Sequence, residues 1–122
     1  MTEKFSVKAR LHSMRFAFNG LKILWSEQHN ARVHCAATVV VLLLALLLRM
    51  PLSQWAILLL LIAIVWVAEA LNSAVEYLCD KVTQDHDPLI GKAKDVAAAG
   101  VFVASVAAAL GGVFLFLPLL LS

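Results

Sequence analysis

Hydrophobic residues fall into three long runs along this chain, each long enough to form a membrane-spanning helix. The first covers about residues 33–50 and stops at Met50-Pro51, the second covers about 53–79, and the third about 96–121. The hydrocarbon core of a bilayer needs roughly 20 residues of helix, so the first run is near the short limit. Because lipid offers the backbone no hydrogen-bond partner, all three runs are predicted to be α-helices.

A different pattern precedes the first run. From residue 5 to about 29, apolar residues recur three or four positions apart among charged ones, which is typical of a helix with one apolar stripe. Lys8, Arg15 and Lys22 recur at every seventh position, on another face of the same helix. The pattern therefore predicts an amphipathic helix that lies along the membrane surface.

Composition agrees with a membrane protein of one domain, residues 1–122. Apolar residues make up 62% of the 122 positions, against roughly 45–50% in soluble domains. A soluble fold this small cannot bury so much apolar surface. Cys35 and Cys79 show no metal-binding or CxxC spacing, and we expect them to be packed thiols.

The positions of the Lys and Arg residues predict the orientation in the membrane. Of the ten, nine lie before the first run or between the second and third, and only Arg49 lies between the first and second. Cytoplasmic loops carry the excess of these residues, so the N-terminus is predicted to be cytoplasmic and the C-terminus to face the opposite side.

Acidic and amide side chains occur in the last part of the second run, toward its predicted cytoplasmic end. At about 100° per residue, Glu69, Asn72, Glu76 and Asp80 fall on one side of the helix, with Ser73 close to them. A carboxylate in hydrocarbon costs several kcal/mol unless it meets a partner, a cation or a proton. Asn72 and Ser73 serve equally well to hold helices together, but two glutamates on one stripe indicate a functional site. Mg²⁺ favours carboxylate oxygens and usually bridges to phosphate.

The segment DKVTQDHDPLIGKAKD is the long polar stretch between the second and third runs. Lys94 and Asp95 stand where the third helix is expected to start, and a helix start favours anions. These residues can equally be the positive charges typical of a cytoplasmic loop and the capping residues of a helix, so both interpretations stay open here. Gly91-Lys92 is not a P-loop, because the earlier glycine and the Ser or Thr of that motif are missing.

Small residues recur at every fourth position of the third run, at Gly100, Ala104, Ala108 and Gly112. Such a line lets helices approach closely in lipid. Three helices of this size cannot enclose a site alone. We therefore expect a homo-oligomer with sites between subunits.

Glu69 to Val101, EALNSAVEYLCDKVTQDHDPLIGKAKDVAAAGV, resembles the small integral-membrane diacylglycerol kinases of bacteria, a family that includes undecaprenol kinases. The block Glu-x-x-Asn-Ser-Ala-x-Glu, the acidic loop with its histidine and Ala-Lys-Asp carry the resemblance. It implies an all-α homotrimer of three-span subunits, each with a surface helix, in the bacterial inner membrane. It also implies that ATP, with Mg²⁺, phosphorylates the hydroxyl of a membrane lipid alcohol, diacylglycerol or undecaprenol. A nucleic-acid partner is not implied.

The resemblance assigns roles to those residues of this chain that match the family's site positions. The resemblance implies that Glu69 is the general base on the lipid hydroxyl, that Asn72 orients the reacting groups, and that Glu76 holds magnesium. Nucleotide contacts are implied for six residues, of which the first two match only loosely: Arg10, Phe16, His86, Asp87, Lys94 and Asp95.

One position departs from the family pattern. The position at which the family often carries a second metal-binding glutamate is occupied here by Gln28, with Glu27 beside it. Either Glu27 takes over, or Gln28 coordinates through its neutral carbonyl oxygen, or the metal is held more weakly. The segment QHNARVH, residues 28–34, resembles undecaprenol kinases more than classical diacylglycerol kinases.

Two other function classes are compatible with three spans. A small proton-coupled transporter would use Glu69 as its coupling site, but its polar stripe should reach the far side, and residues 55–67 carry no charge. A purely structural membrane subunit would leave the glutamates unexplained.

Overall fold

A computed structural model describes residues 4–122 as four α-helices. They are α1 (Val7–Glu27), α2 (His29–Leu47), α3 (Leu52–Val82) and α4 (Pro88–Leu121). The last three are long and apolar enough to cross a membrane, which confirms that the three apolar runs are helices. At a rise of about 1.5 Å per residue, α3 and α4 are roughly 46 and 51 Å long, so both exceed a hydrocarbon core of about 30 Å.

The turn between α3 and α4 is shorter than the sequence suggested, because only residues 83–87 are not helical. Asp87 Oδ1 accepts hydrogen bonds from the backbone N–H groups of Leu89 (2.9 Å) and Ile90 (3.2 Å). Pro88 follows at the first helical position, where a proline costs no hydrogen bond. The expectation that the helix starts at Lys94 and Asp95 was therefore wrong, since both lie about two turns inside α4.

The junction between α1 and α2 is a single extended residue, Gln28, with φ −110° and ψ 113°. The Arg32 guanidinium donates hydrogen bonds from Nε to the carbonyl of Trp25 (2.8 Å) and from Nη2 to that of Ser26 (3.0 Å). Basic side chains stabilise helix ends in this way, because the last carbonyls have no partner within the helix. The N-terminal segment is thus a helix distinct from the first span, while its position on a membrane surface stays a prediction.

α2 ends at a residue whose backbone is in the left-handed conformation. Arg49 has φ 54°, and its N–H donates to the carbonyl of Leu46 (3.2 Å). The N–H of Met50 donates to the carbonyl of Ala45 (3.0 Å). This pair of bonds is the Schellman ending, and it stops α2 at Leu47, three residues before the predicted boundary.

The core lies at the end of the bundle away from the α3–α4 turn. α3 packs mainly against α4, and α2 packs against α3. Both cysteines are free, with Cys79 buried and Cys35 half-buried, as expected of packed thiols. The core is built from four buried apolar residues, Ala45, Met50, Leu58 and Leu115.

Among the glycines of α4, Gly111 lies closest to a side chain of α3, and it is not in the predicted line of small residues. A Cβ built on Gly111 would lie 2.6 Å from Leu61 Cδ1. A Cβ on Gly100 or Gly112 would meet no described atom within 4 Å. The predicted line therefore does not include the glycine that contacts Leu61, although its member Ala104 is buried. A role of the line in packing between subunits stays a prediction.

Candidate active site

The buried part of the site lies on one face of α3. Glu69 is 1% exposed, Ser73 2% and Asn72 7%. Glu76 is half-buried, and Asp80, in the last turn of α3, is exposed. Burial therefore decreases from Glu69 toward the α3–α4 turn, over roughly 16 Å of helix.

His34 of α2 faces the buried carboxylate. His34 Nε2 lies 3.5 Å from Glu69 Oε2, and Ser73 Oγ lies 3.5 Å from Glu69 Oε1. Asn72 Oδ1 is buried without a hydrogen-bond partner among residues 4–122. Sequence reasoning missed His34. The available signal was a histidine at the start of an apolar run, but nothing local shows which helix it faces.

Two side chains fix the surroundings of His34. Trp66 Nε1 donates a hydrogen bond to Thr38 Oγ1 (3.0 Å), and Thr38 Oγ1 donates to the backbone carbonyl of His34 (2.6 Å). The Trp66 ring meets the imidazole edge-on, with centroids 6.4 Å apart and planes at 63°. These contacts join α2 to α3 one turn before Glu69 and place the Trp66 ring beside the imidazole.

A cavity of about 460 Å³ opens at the α3–α4 turn, and we call it the loop cavity. Lys94 Nζ lies 2.8 Å from Asp80 Oδ1 at its wall. Its carboxylates outnumber its lysine, so an anionic polyphosphate needs an accompanying cation to enter. The structure thus brings together three of the predicted nucleotide-contacting residues, His86, Asp87 and Lys94. The loop cavity is lined by Asp80, Thr83, Gln84, Asp85, His86, Asp87, Ile90, Gly91 and Lys94.

The other three predicted nucleotide-contacting residues do not line the loop cavity. Asp95 is exposed on α4, and Arg10 and Phe16 are exposed on α1. The Phe16 ring is covered by the guanidinium of Arg15, 4.7 Å from the ring centroid. Their roles toward a nucleotide stay predictions.

The candidate metal ligands lie where the α1–α2 junction meets α3. Gln28 Nε2 donates to the hydroxyl of Tyr77 (3.1 Å), the residue after Glu76, while Glu27 is exposed at the end of α1. In the described part of the chain, no three His, Cys, Asp or Glu side chains come together to hold a metal. Mg²⁺ usually binds through one or two carboxylates plus phosphates, so the half-buried Glu76 carboxylate is compatible with a magnesium nucleotide. Asn72 Oδ1, one turn away, has no hydrogen-bond partner among residues 4–122.

An apolar groove of about 590 Å³ runs between α2, α3 and α4. Its polar end contains His34 and Thr38, and its other end contains Leu117 and Leu120. Through His34 the groove comes next to Glu69. The groove therefore joins a buried carboxylate to a surface suited to a hydrocarbon chain.

Comparisons with known proteins agree with these features. Residues 15–116 match the family model described as prokaryotic diacylglycerol kinase. An undecaprenol kinase of Bacillus subtilis is 38% identical over 91 residues, which are 75% of this chain and 74% of that protein. A diacylglycerol kinase of Synechocystis is 38% identical over 113 residues, 92% of this chain but only 65% of that protein. The diacylglycerol kinase of Escherichia coli K12 is 27% identical over 93 residues, 76% of each chain.

Proposed function

This chain belongs to the prokaryotic diacylglycerol kinase family, and on that premise we propose that it transfers the γ-phosphoryl group of ATP to the hydroxyl of a membrane lipid alcohol. The alcohol is diacylglycerol or undecaprenol, the two named for its relatives. The observation that carries the proposal is the buried Glu69 carboxylate, which lies 3.5 Å from His34 at the polar end of an apolar groove.

The groove suits the acceptor. Its lining is largely aliphatic, so an acyl or isoprenoid chain can lie along it and leave water. The hydroxyl of such a lipid would then reach the end of the groove where His34 adjoins Glu69. An ionised Glu69 in that place accepts the proton of the hydroxyl as its oxygen attacks the phosphorus. Asn72, one turn farther on, would orient the reacting groups.

The loop cavity suits the donor. Lys94 and His86 offer positive charge or hydrogen bonds to phosphates, and Glu76 lies on α3 between this cavity and Glu69. Glu76, with Gln28 or Glu27, would hold the magnesium that accompanies ATP. That ion, when bound, neutralises phosphate charge and orients the γ-phosphate toward the acceptor.

We also propose a homotrimer in the bacterial inner membrane, with the N-terminus and the loop cavity on the cytoplasmic side. The placement of nine of the ten Lys and Arg residues supports this orientation. Many large apolar side chains on every helix are exposed in the single chain, and lipid and neighbouring subunits would cover them.

The experiment supplies purified protein in lipid micelles with Mg²⁺, γ-labelled ATP and each alcohol in parallel. We expect labelled phospholipid from at least one alcohol, loss of the label in Glu69→Gln and Glu76→Gln, and an unchanged oligomer by cross-linking. Glu69→Asp should retain part of the activity, because the carboxylate is kept but withdrawn by one methylene. Wild-type protein that labels neither alcohol would contradict the function, and fully active Glu69→Gln would contradict the site.

A further inference from the structure

We propose that His34 is a positioning residue for Glu69. Its Nε2–H holds Glu69 Oε2, and the other carboxylate oxygen, Oε1, is thereby presented to the acceptor hydroxyl. The kinetic consequence rests on the proposed function, whereas the contact itself does not.

The two atoms that face each other have no other partner. His34 Nε2 and Glu69 Oε2 are both buried and lack a hydrogen bond within residues 4–122. They lie 3.5 Å apart on different helices. Buried polar atoms are rarely left unpaired in folded proteins. A shift of a few tenths of an ångström would bring them within ordinary hydrogen-bonding distance and satisfy both, with the imidazole proton on Nε2.

The second carboxylate oxygen has a more adaptable neighbour. Ser73 Oγ lies 3.5 Å from Glu69 Oε1 and belongs to the same helix, one turn away. A hydroxyl rotates to suit its partners, so Ser73 can yield Oε1 to an incoming hydroxyl. The imidazole cannot withdraw by rotating a single O–H bond, and the Trp66 ring packs against it with the ring centroids 6.4 Å apart. The two oxygens of Glu69 therefore differ in how firmly they are held.

His34 also joins the two parts of the acceptor site. It lines the apolar groove and lies 3.5 Å from the carboxylate, so it connects the two. A donor at Nε2 orients the carboxylate without adding bulk to the groove. Because His34 acts through Glu69, its loss should change the rate of the chemical step more than substrate binding.

The kinetic experiment compares His34→Gln, His34→Asn and His34→Leu. The amide nitrogen of Gln reaches the region of Nε2, whereas that of Asn stops near Nδ1, and Leu donates nothing. We expect kcat to fall about tenfold or more in the Asn and Leu variants, with KM for ATP and the alcohol changed by less than about twofold. His34→Gln should recover most of the rate. Equal rates in the Gln and Leu variants, or a loss confined to KM, would overturn the positioning role.

A second measurement does not depend on activity. In protein labelled with ¹⁵N-histidine, Glu69→Gln should shift the imidazole resonances of His34, identified by their absence in His34→Gln. The signals of His12, His29 and His86 should stay in place. Unshifted His34 signals would overturn the contact. If the signals shift but wild-type protein phosphorylates neither alcohol, the proposed function fails and the contact stands.

Discussion

Lys94 Nζ lies 2.8 Å from Asp80 Oδ1, and this ion pair joins the last turn of α3 to α4 at the wall of the loop cavity. The two side chains are 41% and 57% exposed. Exposed pairs contribute about 0–1 kcal/mol, because water and salt screen them. The pair therefore matters more for where it holds the ammonium group than for stability.

Lys94→Met should raise KM for ATP about tenfold and leave KM for the lipid alcohol unchanged, because the proposed phosphate site would lose one positive charge. Asp80→Asn should leave KM for ATP equal or lower, since it frees the ammonium group. The matched control is Lys92→Met, because Lys92 is exposed and does not line the loop cavity. Equal effects of the two Lys→Met variants would show that only general charge matters.

Gln28, rather than Glu27, should be the second magnesium ligand, because its amide contacts Tyr77, the residue that follows Glu76 in the sequence. We expect Gln28→Leu to raise the magnesium concentration for half-maximal activity and Gln28→Glu to lower it, since a carboxylate binds Mg²⁺ more strongly than an amide. Glu27→Gln should leave it unchanged. A magnesium requirement that moves in Glu27→Gln but not in Gln28→Leu would reverse the assignment.

Asp87 should stabilise the start of α4 whether or not nucleotide is bound, because its carboxylate accepts two backbone hydrogen bonds. Asp87→Ala should lower the free energy of unfolding by about 1 kcal/mol, and Asp87→Ser should keep most of it. Unfolding in mixed detergent micelles measures the difference. Asp85→Ala is the control, and an equal loss there would remove the capping explanation.

Gly111→Ala should be less stable than Gly112→Ala by about 1–3 kcal/mol. Both gain helix propensity, but only the Cβ at Gly111 meets Leu61. The Leu61→Ala change should recover the loss in Gly111→Ala, which a double-mutant cycle in detergent would measure. If Gly112→Ala is the less stable variant, that glycine packs against another subunit.

Arg49→Gly should raise the free energy of unfolding by about 0.5–1 kcal/mol, because a left-handed residue carries a steric cost that glycine avoids. Arg49→Val should lower it, since a β-branched side chain tolerates positive φ poorly. The same detergent unfolding measurement separates the two. Equal stability of both variants would indicate that the end of α2 adopts another conformation.

Local patterns were sufficient for the helices and for the common face of the α3 polar residues. Charge is excluded from hydrocarbon and the helical period is constant, so the three apolar runs and the spacing of Glu69, Asn72 and Glu76 can be read along the chain. The start of α4 could also have been read, because Asp87-Pro88 has the chemistry of a helix N-terminus. The polar composition of residues 88–95 favours a loop instead, so composition alone puts the start of α4 too late.

By itself, the sequence determined the three helices long and apolar enough to span a membrane, the family and the face of α3 that carries the acids. Only the tertiary structure decided that His34 meets Glu69, that Gln28 contacts Tyr77, and that Gly111 rather than Gly112 lies against Leu61. Each of these contacts depends on how one helix is rotated and shifted against another. That arrangement follows from the combined packing of many side chains, and no single stretch of the chain encodes it.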